Sequence, residues 1–242
     1  MVSIIGAMRG RTYWKKQVRR DKEAGCKRFI FTGNYFGNEI PTSDQIDNFI
    51  SLMKFVKNKP EDTEVTLLLG GEDYQYTHEF DRYENYNYEN SAIIAECLIA
   101  QLYLFKVADH FNNFLISNSG VNSDFLNYIN VEESDLETLC KGVNMEFEKR
   151  PQNFRLRLDE KNELNQYTGQ SPLIMDSNAL FMWPLKDGII QVYNGEEERV
   201  IRQTKTTVNC NAQVGNSYVR LLARDVYRGF VPITDAIGES LF

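Results

Sequence analysis

Apolar and polar positions follow two alternating rhythms along the first third of the chain. Residues 2–5 (Val-Ser-Ile-Ile) are a short β-branched run ending at Gly6, which predicts a first strand. Residues 11–24 place Trp14 and Val18 on one helical face, with basic residues elsewhere, until Gly25 stops the pattern. Residues 26–32 predict a second strand, ending at Gly33. Thr42 with Gln45 three positions on is a capping-box pattern, and Ile46, Phe49, Ile50, Met53 and Phe55 supply the apolar side of the helix it opens. Pro60 closes that unit, and residues 64–69 predict a third strand ending at Gly70-Gly71. Strand, helix, strand, helix, strand, with a glycine after each strand, is the pattern of a parallel or mixed sheet with helical crossovers.

The rhythm breaks at residues 74–90, which hold Tyr74, Tyr76, Tyr83, Tyr86 and Tyr88 among acids and asparagines with no steady period. This stretch predicts an ordered loop over the carboxyl ends of the strands. Its tyrosines offer large contact area with few rotors and so a candidate interaction surface; the alternative is a loop packed on its own rings. Residues 91–107 predict an apolar helix, 114–117 a fourth strand and 134–148 another helix. The polar stretch 151–170 predicts a surface excursion, and 188–193, 206–210 and 218–223 predict strands of a second sheet region. With no internal repeat and no clear linker, one domain over residues 1–242 is expected.

Composition narrows the class. The chain of 242 residues is 42% apolar and 25% charged, with a net charge of −7, which fits a folded globular protein and excludes disordered and fibrous classes. No apolar run is long enough for a membrane helix, and residues 1–7 lack the pattern of a signal peptide. The acidic balance argues against nonspecific nucleic-acid binding. Cys26, Cys97, Cys140 and Cys210 are too far apart in sequence for a CxxC pair and predict reduced thiols in a cytoplasmic protein. Asparagine is frequent at 22 residues, a bias compatible with an AT-rich viral or bacterial genome, and in the viral case the location would be the host cytoplasm. Histidine is scarce: His78 and His110 are the only two.

The predicted strand ends carry a resemblance. Residues 6–11 (Gly-Ala-Met-Arg-Gly-Arg) resemble the Asp-x-His-Gly-Arg motif of the calcineurin-like metallophosphoesterases, the family of serine/threonine phosphatases. Residues 32–36 (Thr-Gly-Asn-Tyr-Phe) resemble their Gly-Asp-Tyr-Phe motif, and residues 69–74 (Leu-Gly-Gly-Glu-Asp-Tyr) their Gly-Asn-His-Asp motif. Residues 116–121 (Ile-Ser-Asn-Ser-Gly-Val) are similar to their later His-Ala-Gly-Val segment, and residues 41–49 to the stretch between the second and third motifs. The match covers about residues 2–122 and weakens after Pro151. It implies an α/β fold, an αββα sandwich of two mixed sheets flanked by helices, with a site at the strand ends.

The resemblance also implies a two-metal site, and its ligand positions are altered. The first-motif Asp is Ala7 and its His is Arg9; the bridging Asp is Asn34; the metal-binding Asn is Gly71; the neighbouring His is Glu72; the later His is Asn118. The closing Gly-His-x-His has no counterpart around residues 193–196. Such a cage needs several imidazoles and carboxylates, and Arg9 puts a permanent positive charge where a cation would sit. Gly10, Arg11, Gly33, Gly70, Asp73 and Gly120 match the family, so turn-building residues are kept where ligands are not.

These features predict a catalytically inactive scaffold with no metal and no cofactor. Arg9 and Arg11 are candidates for a phosphate clamp, and Asn34 and Asn118 for hydrogen bonds to a base or sugar. With Glu72 and Asp73 they make up the candidate ligand site. The alternative is that Arg9 pairs with Glu72 or Asp73, the asparagines replace lost charge, and Asp73 is structural. Three function classes follow: a binding module for a phosphate-bearing ligand such as a nucleotide, with sequestration of a signalling nucleotide in a viral setting; a scaffold or homo-oligomer using its surface toward a protein partner; and an enzyme with metal-free chemistry.

Overall fold

The computed structural model describes residues 1–78, 86–155, 157–161, 167–175, 179–180, 183–194, 202–203, 206–210, 217–222 and 225–230. The strand–helix rhythm of the sequence is realised as β1 (Val2–Ile5), α1 (Tyr13–Glu23), β2 (Arg28–Phe31), α2 (Thr42–Asn58) and β3 (Glu64–Leu68). Then follow α3 (Gly71–Thr77), α4 (Ser91–Ile99), β4 (Phe105–Lys106), β5 (Ala108–Phe111), β6 (Phe114–Ser117), α5 (Ser123–Tyr128) and α6 (Leu136–Lys149). The remaining strands are β7 (Arg157–Lys161), β8 (Tyr167–Gly169), β9 (Ile190–Tyr193), β10 (Arg202–Gln203), β11 (Thr207–Asn209), β12 (Ser217–Leu222) and β13 (Asp225–Phe230).

Two mixed sheets result. The first has the order β13-β12-β1-β2-β3-β4, with β1 through β4 parallel and β12 antiparallel to β1. The second has the order β10-β11-β9-β6-β5, with β9 parallel to both β6 and β11. β7 and β8 pair with each other as a small separate ribbon.

Alternation along the strands explains the layering. Val2, Ile4, Ile30, Leu68, Val219 and Leu221 of the first sheet meet Phe114, Ile116, Val192 and Val208 of the second in one buried cluster. The intervening positions, such as Ile5, Phe29, Phe31, Leu67 and Leu115, belong to a second cluster shared with the helices. A strand buried on both faces reads as a continuous apolar run, as β1, β2 and β6 do. On one flank Trp14 of α1 packs edge-on against Phe31 and beside Phe55 of α2, each at 5.8 Å between ring centres. The polar Ser3 of β1 also faces α1, where its hydroxyl accepts from Gln17 Nε2 at 2.9 Å.

Several elements differ from the sequence-based expectations. The Thr42 capping box does not form: Pro41 precedes the first turn, and Gln45 is buried with its amide on Gly37 N, Gly37 O and Ile40 O. A backbone loop that needed donors and acceptors outcompeted the cap. The expected helix 91–107 ends at Ile99, then passes through a 3₁₀ turn into β4. The strand expected at 218–223 joins the first sheet, beside β1, instead of a second region; Arg220 pairs there with the buried Asp21 of α1. The loop expected at 74–90 begins as α3. Tyr74 and Tyr76 lie in that helix and are buried, so they offer no contact surface. Tyr74 Oη donates to Pro151 O at 2.7 Å, and Tyr76 stacks on Tyr86 with ring centres 4.8 Å apart. Tyr86 in turn meets Tyr88, which is 68% exposed. Tyr83 lies outside the described residues.

One polar tie crosses between the sheets. Arg28 of β2 donates to both oxygens of Asp109 on β5, at 2.8 and 2.9 Å, and Thr66 Oγ1 of β3 donates to the same carboxylate at 2.8 Å. Arg28→Met is expected to cost about 2 kcal/mol in urea unfolding, because Asp109 is left almost buried with only two neutral donors, Thr66 Oγ1 and His110 N. A change below about 0.5 kcal/mol, the range of ordinary surface substitutions, would show that the tie contributes little.

Candidate functional site

The carboxyl ends of β1, β2, β3, β6, β9 and β11 converge, and the loops that leave them are laced together by backbone bonds. Arg9 N donates to Asn34 O at 2.8 Å and Gly10 N to Tyr35 O at 2.7 Å. Asn194 N donates to Asn118 O at 2.6 Å and Cys210 N to Tyr193 O at 2.8 Å. Arg9 and Asn34 both have positive φ, 45° and 56°, uncommon for residues with side chains.

Arg9 and Glu72 face each other across this junction. Arg9 Nη2 lies 2.6 Å from Glu72 Oε1 and Nε lies 3.2 Å from Oε2, a two-point fork on one carboxylate. Their side chains are 22% and 15% exposed, so the pair is sheltered but reachable. Asp73, fully buried, lies beneath them. Its carboxylate accepts Asn34 N at 2.7 Å, Tyr35 N at 2.8 Å and Gly70 N at 3.1 Å. Burial pushes the Asp73 carboxyl up to about 7 against the opposing pull of these amide donors.

The asparagines complete the junction. Asn34 Oδ1 accepts Glu72 N at 3.2 Å. Asn118 Oδ1 accepts Gly71 N at 3.1 Å and Ser119 Oγ at 3.1 Å, while its Nδ2 donates to Thr32 O at 2.8 Å. Asn194 donates to the same Thr32 O at 3.2 Å, and its Oδ1 accepts Thr32 Oγ1 at 3.0 Å and Cys210 Sγ at 3.1 Å. Burial raises the Cys210 thiol to about 12, so it donates as a neutral S–H. A tight turn, Ser171 to Ile174, closes over the junction. Ser119 N donates to Pro172 O at 2.7 Å and Ser119 Oγ to Leu173 O at 2.9 Å. A Cβ at Gly71 would overlap that Leu173 carbonyl and come within 3.0 Å of Ile174 Cγ1.

Arg9, Asn34, Glu72, Asp73 and Asn118 are thus brought together as their motif positions predict. Arg11 turns instead to Glu39, with which it forms an ion pair. Asn194, Cys210, Thr32 and Leu173 are members that the motifs did not indicate. Asn194 stands where the closing histidine motif would fall, which was a usable signal; Leu173 lies beyond the reach of the resemblance and had none. Among the described residues, no group of three or more His, Cys, Asp or Glu side chains comes together. His78 lies at the end of α3, stacked on Tyr74 at 5.0 Å and edge-on to Phe147, and burial lowers its pKa. His110 lies on β5.

No protein-family model matches the sequence, and no curated protein does. Solved structures do. A cold-active protein-tyrosine phosphatase of a psychrophilic Shewanella species is similar over 100% of this chain and 80% of its own, at 16% identity and a TM-score of 0.60. A candidate diadenosine tetraphosphatase is similar over 95% of this chain and 92% of its own, at 13% identity and a TM-score of 0.54. A protein serine/threonine phosphatase from Saccharomyces cerevisiae is similar over 96% of this chain and 79% of its own, at 13% identity and a TM-score of 0.51. The chain therefore has the metallophosphoesterase-like α/β fold, two mixed sheets flanked by helices. Identities this low speak for fold alone, because function is set by site residues.

Proposed function

We propose that this chain is a metallophosphoesterase-fold protein that does not hydrolyse phosphoesters, its strand-end site rebuilt as a closed network of amides around one ion pair. The observation that carries this reading is the Arg9–Glu72 fork, which fills the positions of two family histidines with a self-neutralising pair. The residues do not fit two divalent cations. Ala7 and Gly71 bring no donor atom, and Leu173 O occupies the space a side chain at 71 would need. The oxygens of Asn34, Asn118 and Asn194 are turned to N–H, O–H and S–H donors. The guanidinium repels a cation, and a neutral amide is a weaker ligand for one than a carboxylate. The test is turnover of para-nitrophenyl phosphate and its bis-ester with manganese, zinc or iron(II). No turnover above the metal-only blank is expected; metal-dependent turnover that scales with protein would overturn the reading.

A second reading keeps the site as a phosphate receptor without hydrolysis, and the partial exposure of the Arg9 guanidinium favours it. Glu72 is then a competitor for the phosphate. Glu72→Gln removes the competing negative charge beside Arg9 and is expected to raise nucleotide affinity about tenfold, read as a larger thermal shift across a nucleotide panel. Arg9→Ala is expected to abolish it. A panel silent for both the parent chain and Glu72→Gln removes this reading and leaves the closed network.

A further inference from the structure

The outer flank carries a groove of about 960 Å³ between α2, α4 and the turn before β4. Its walls follow two helical stripes. On α2, Ile50, Met53, Lys54 and Lys57 are spaced to share one face; on α4, Cys97 and then Ala100 continue the opposite wall. α4 is apolar around most of its circumference, with Ile94 and Leu98 buried inward and Glu96 and Cys97 lining the groove. Ile50 is 43% exposed and Tyr103, at the groove's end, is 80% exposed. Apolar side chains of the groove thus lie beside a polar rim.

The rim supplies the sign of the partner. Lys54, Lys57 and Lys59 line the groove against a single acid, Glu96. Among the described residues, none of these three lysines has a carboxylate partner, whereas Lys27 nearby in the fold is tied to Asp62. A chain of net charge −7 thus gathers unpaired cations on the edge of its apolar groove. We propose that this groove docks an acidic amphipathic segment of a protein partner, its apolar stripe on Met53, Val56 and Leu104 and its carboxylates on the three lysines. Concavity favours a helix laid along the groove over a flat bilayer. Like charges facing each other across a two-fold axis disfavour a second copy of this chain. None of the lining residues belongs to the Arg9–Glu72 junction, so the inference stands apart from the site's chemistry.

The probes are two labelled synthetic helical peptides with the same leucine stripe, one flanked by glutamates and the other by lysines. Fluorescence anisotropy with the full chain is expected to show binding of the glutamate peptide only. The double variant Lys54→Glu, Lys57→Glu is expected to weaken it at least tenfold, and Met53→Asp to do the same from the apolar side. Both changes lie at positions that are at least partly exposed, and an unchanged melting temperature shows that the fold is intact. The proposal is overturned if the two peptides bind alike, if neither binds, or if charge reversal leaves affinity unchanged. Preferential binding to phosphatidylserine vesicles would overturn it in favour of a membrane surface. A concentration-dependent dimer lost in Met53→Asp would overturn it in favour of a second copy.

Discussion

Asp73→Ala is expected to lower the free energy of unfolding by about 4 kcal/mol, enough to unfold much of a marginally stable domain. Three backbone N–H groups, of Asn34, Tyr35 and Gly70, converge on this one carboxylate, and all lose their acceptor together. Asp73→Asn keeps one oxygen and turns an NH₂ toward the remaining donor, so it is expected to cost about half as much. Urea unfolding of both variants decides the matter: equal losses, or losses under about 1 kcal/mol, would show that water or loop movement replaces the carboxylate. The pH profile adds an independent readout. Burial pushes the folded pKa up to about 7 from the ordinary 3.8. Between those values the folded protein holds a proton that the unfolded chain has released. The stability from this group is therefore full at the acid end of that window and is lost as pH rises toward 7. Asp73→Asn cannot ionise and is expected to flatten the slope between pH 4 and 7.

Gly33→Ala is expected to be more damaging still, costing upward of about 4 kcal/mol or preventing accumulation of folded protein. Gly33 has φ near +92°, and an added Cβ would lie 2.6 Å from Gly70 Cα. Gly70 Cα belongs to the backbone, so no rotamer change relieves the overlap. Gly25 provides the control. Its φ is +82°, yet nothing lies within 4 Å of its would-be Cβ. Gly25→Ala therefore carries only the conformational term of about 1 kcal/mol. A measured difference of less than about 1 kcal/mol between these two variants would mean that β2 and β3 do not approach as closely as described. The same crossing makes Gly70 intolerant, since its Cβ would fall 2.9 Å from Asn34 Cγ.

How much of this was legible in the sequence depended on the range of the interaction. The strand–helix rhythm through β3 was readable because period and glycine punctuation are local properties. The junction of Arg9, Asn34, Glu72, Asp73 and Asn118 was readable because strand ends in a parallel sheet must meet on one side, and the motifs mark those ends. Thr32 and Asn194 meet across 162 residues, and no local pattern announces such a contact. The turn at Ser171–Ile174 has no motif at all. The tyrosine-rich stretch misled for a different reason: Tyr74 and Tyr76 have polar tips on large apolar bodies, and a backbone carbonyl and amide satisfy those tips. The Thr42–Gln45 pattern misled because a long amide side chain serves whichever backbone groups are nearest and unpaired. β12 looked like a strand but carried no mark of its partner, and the contacts that accompany its place beside β1, such as the Arg220–Asp21 pair, span most of the chain.

That placement of β1 has a kinetic consequence. β1 lies inside the first sheet, bonded to β2 on one side and to β12 on the other, with Val2 opposite Leu221. The parallel core of β1, β2 and β3 can assemble from the first 70 residues, and its helices can cover one face. Its free edge gains a partner only when β12 arrives, and the apolar face of Val2, Ile4, Ile30 and Leu68, which meets Phe114 and Ile116 of β6 earlier, is completed only by β9, β11 and β12. The high sequence separation of these pairings slows the final step of folding. A nascent chain leaving the ribosome therefore presents an open strand edge for most of its synthesis, which is the period when holding chaperones matter most to it.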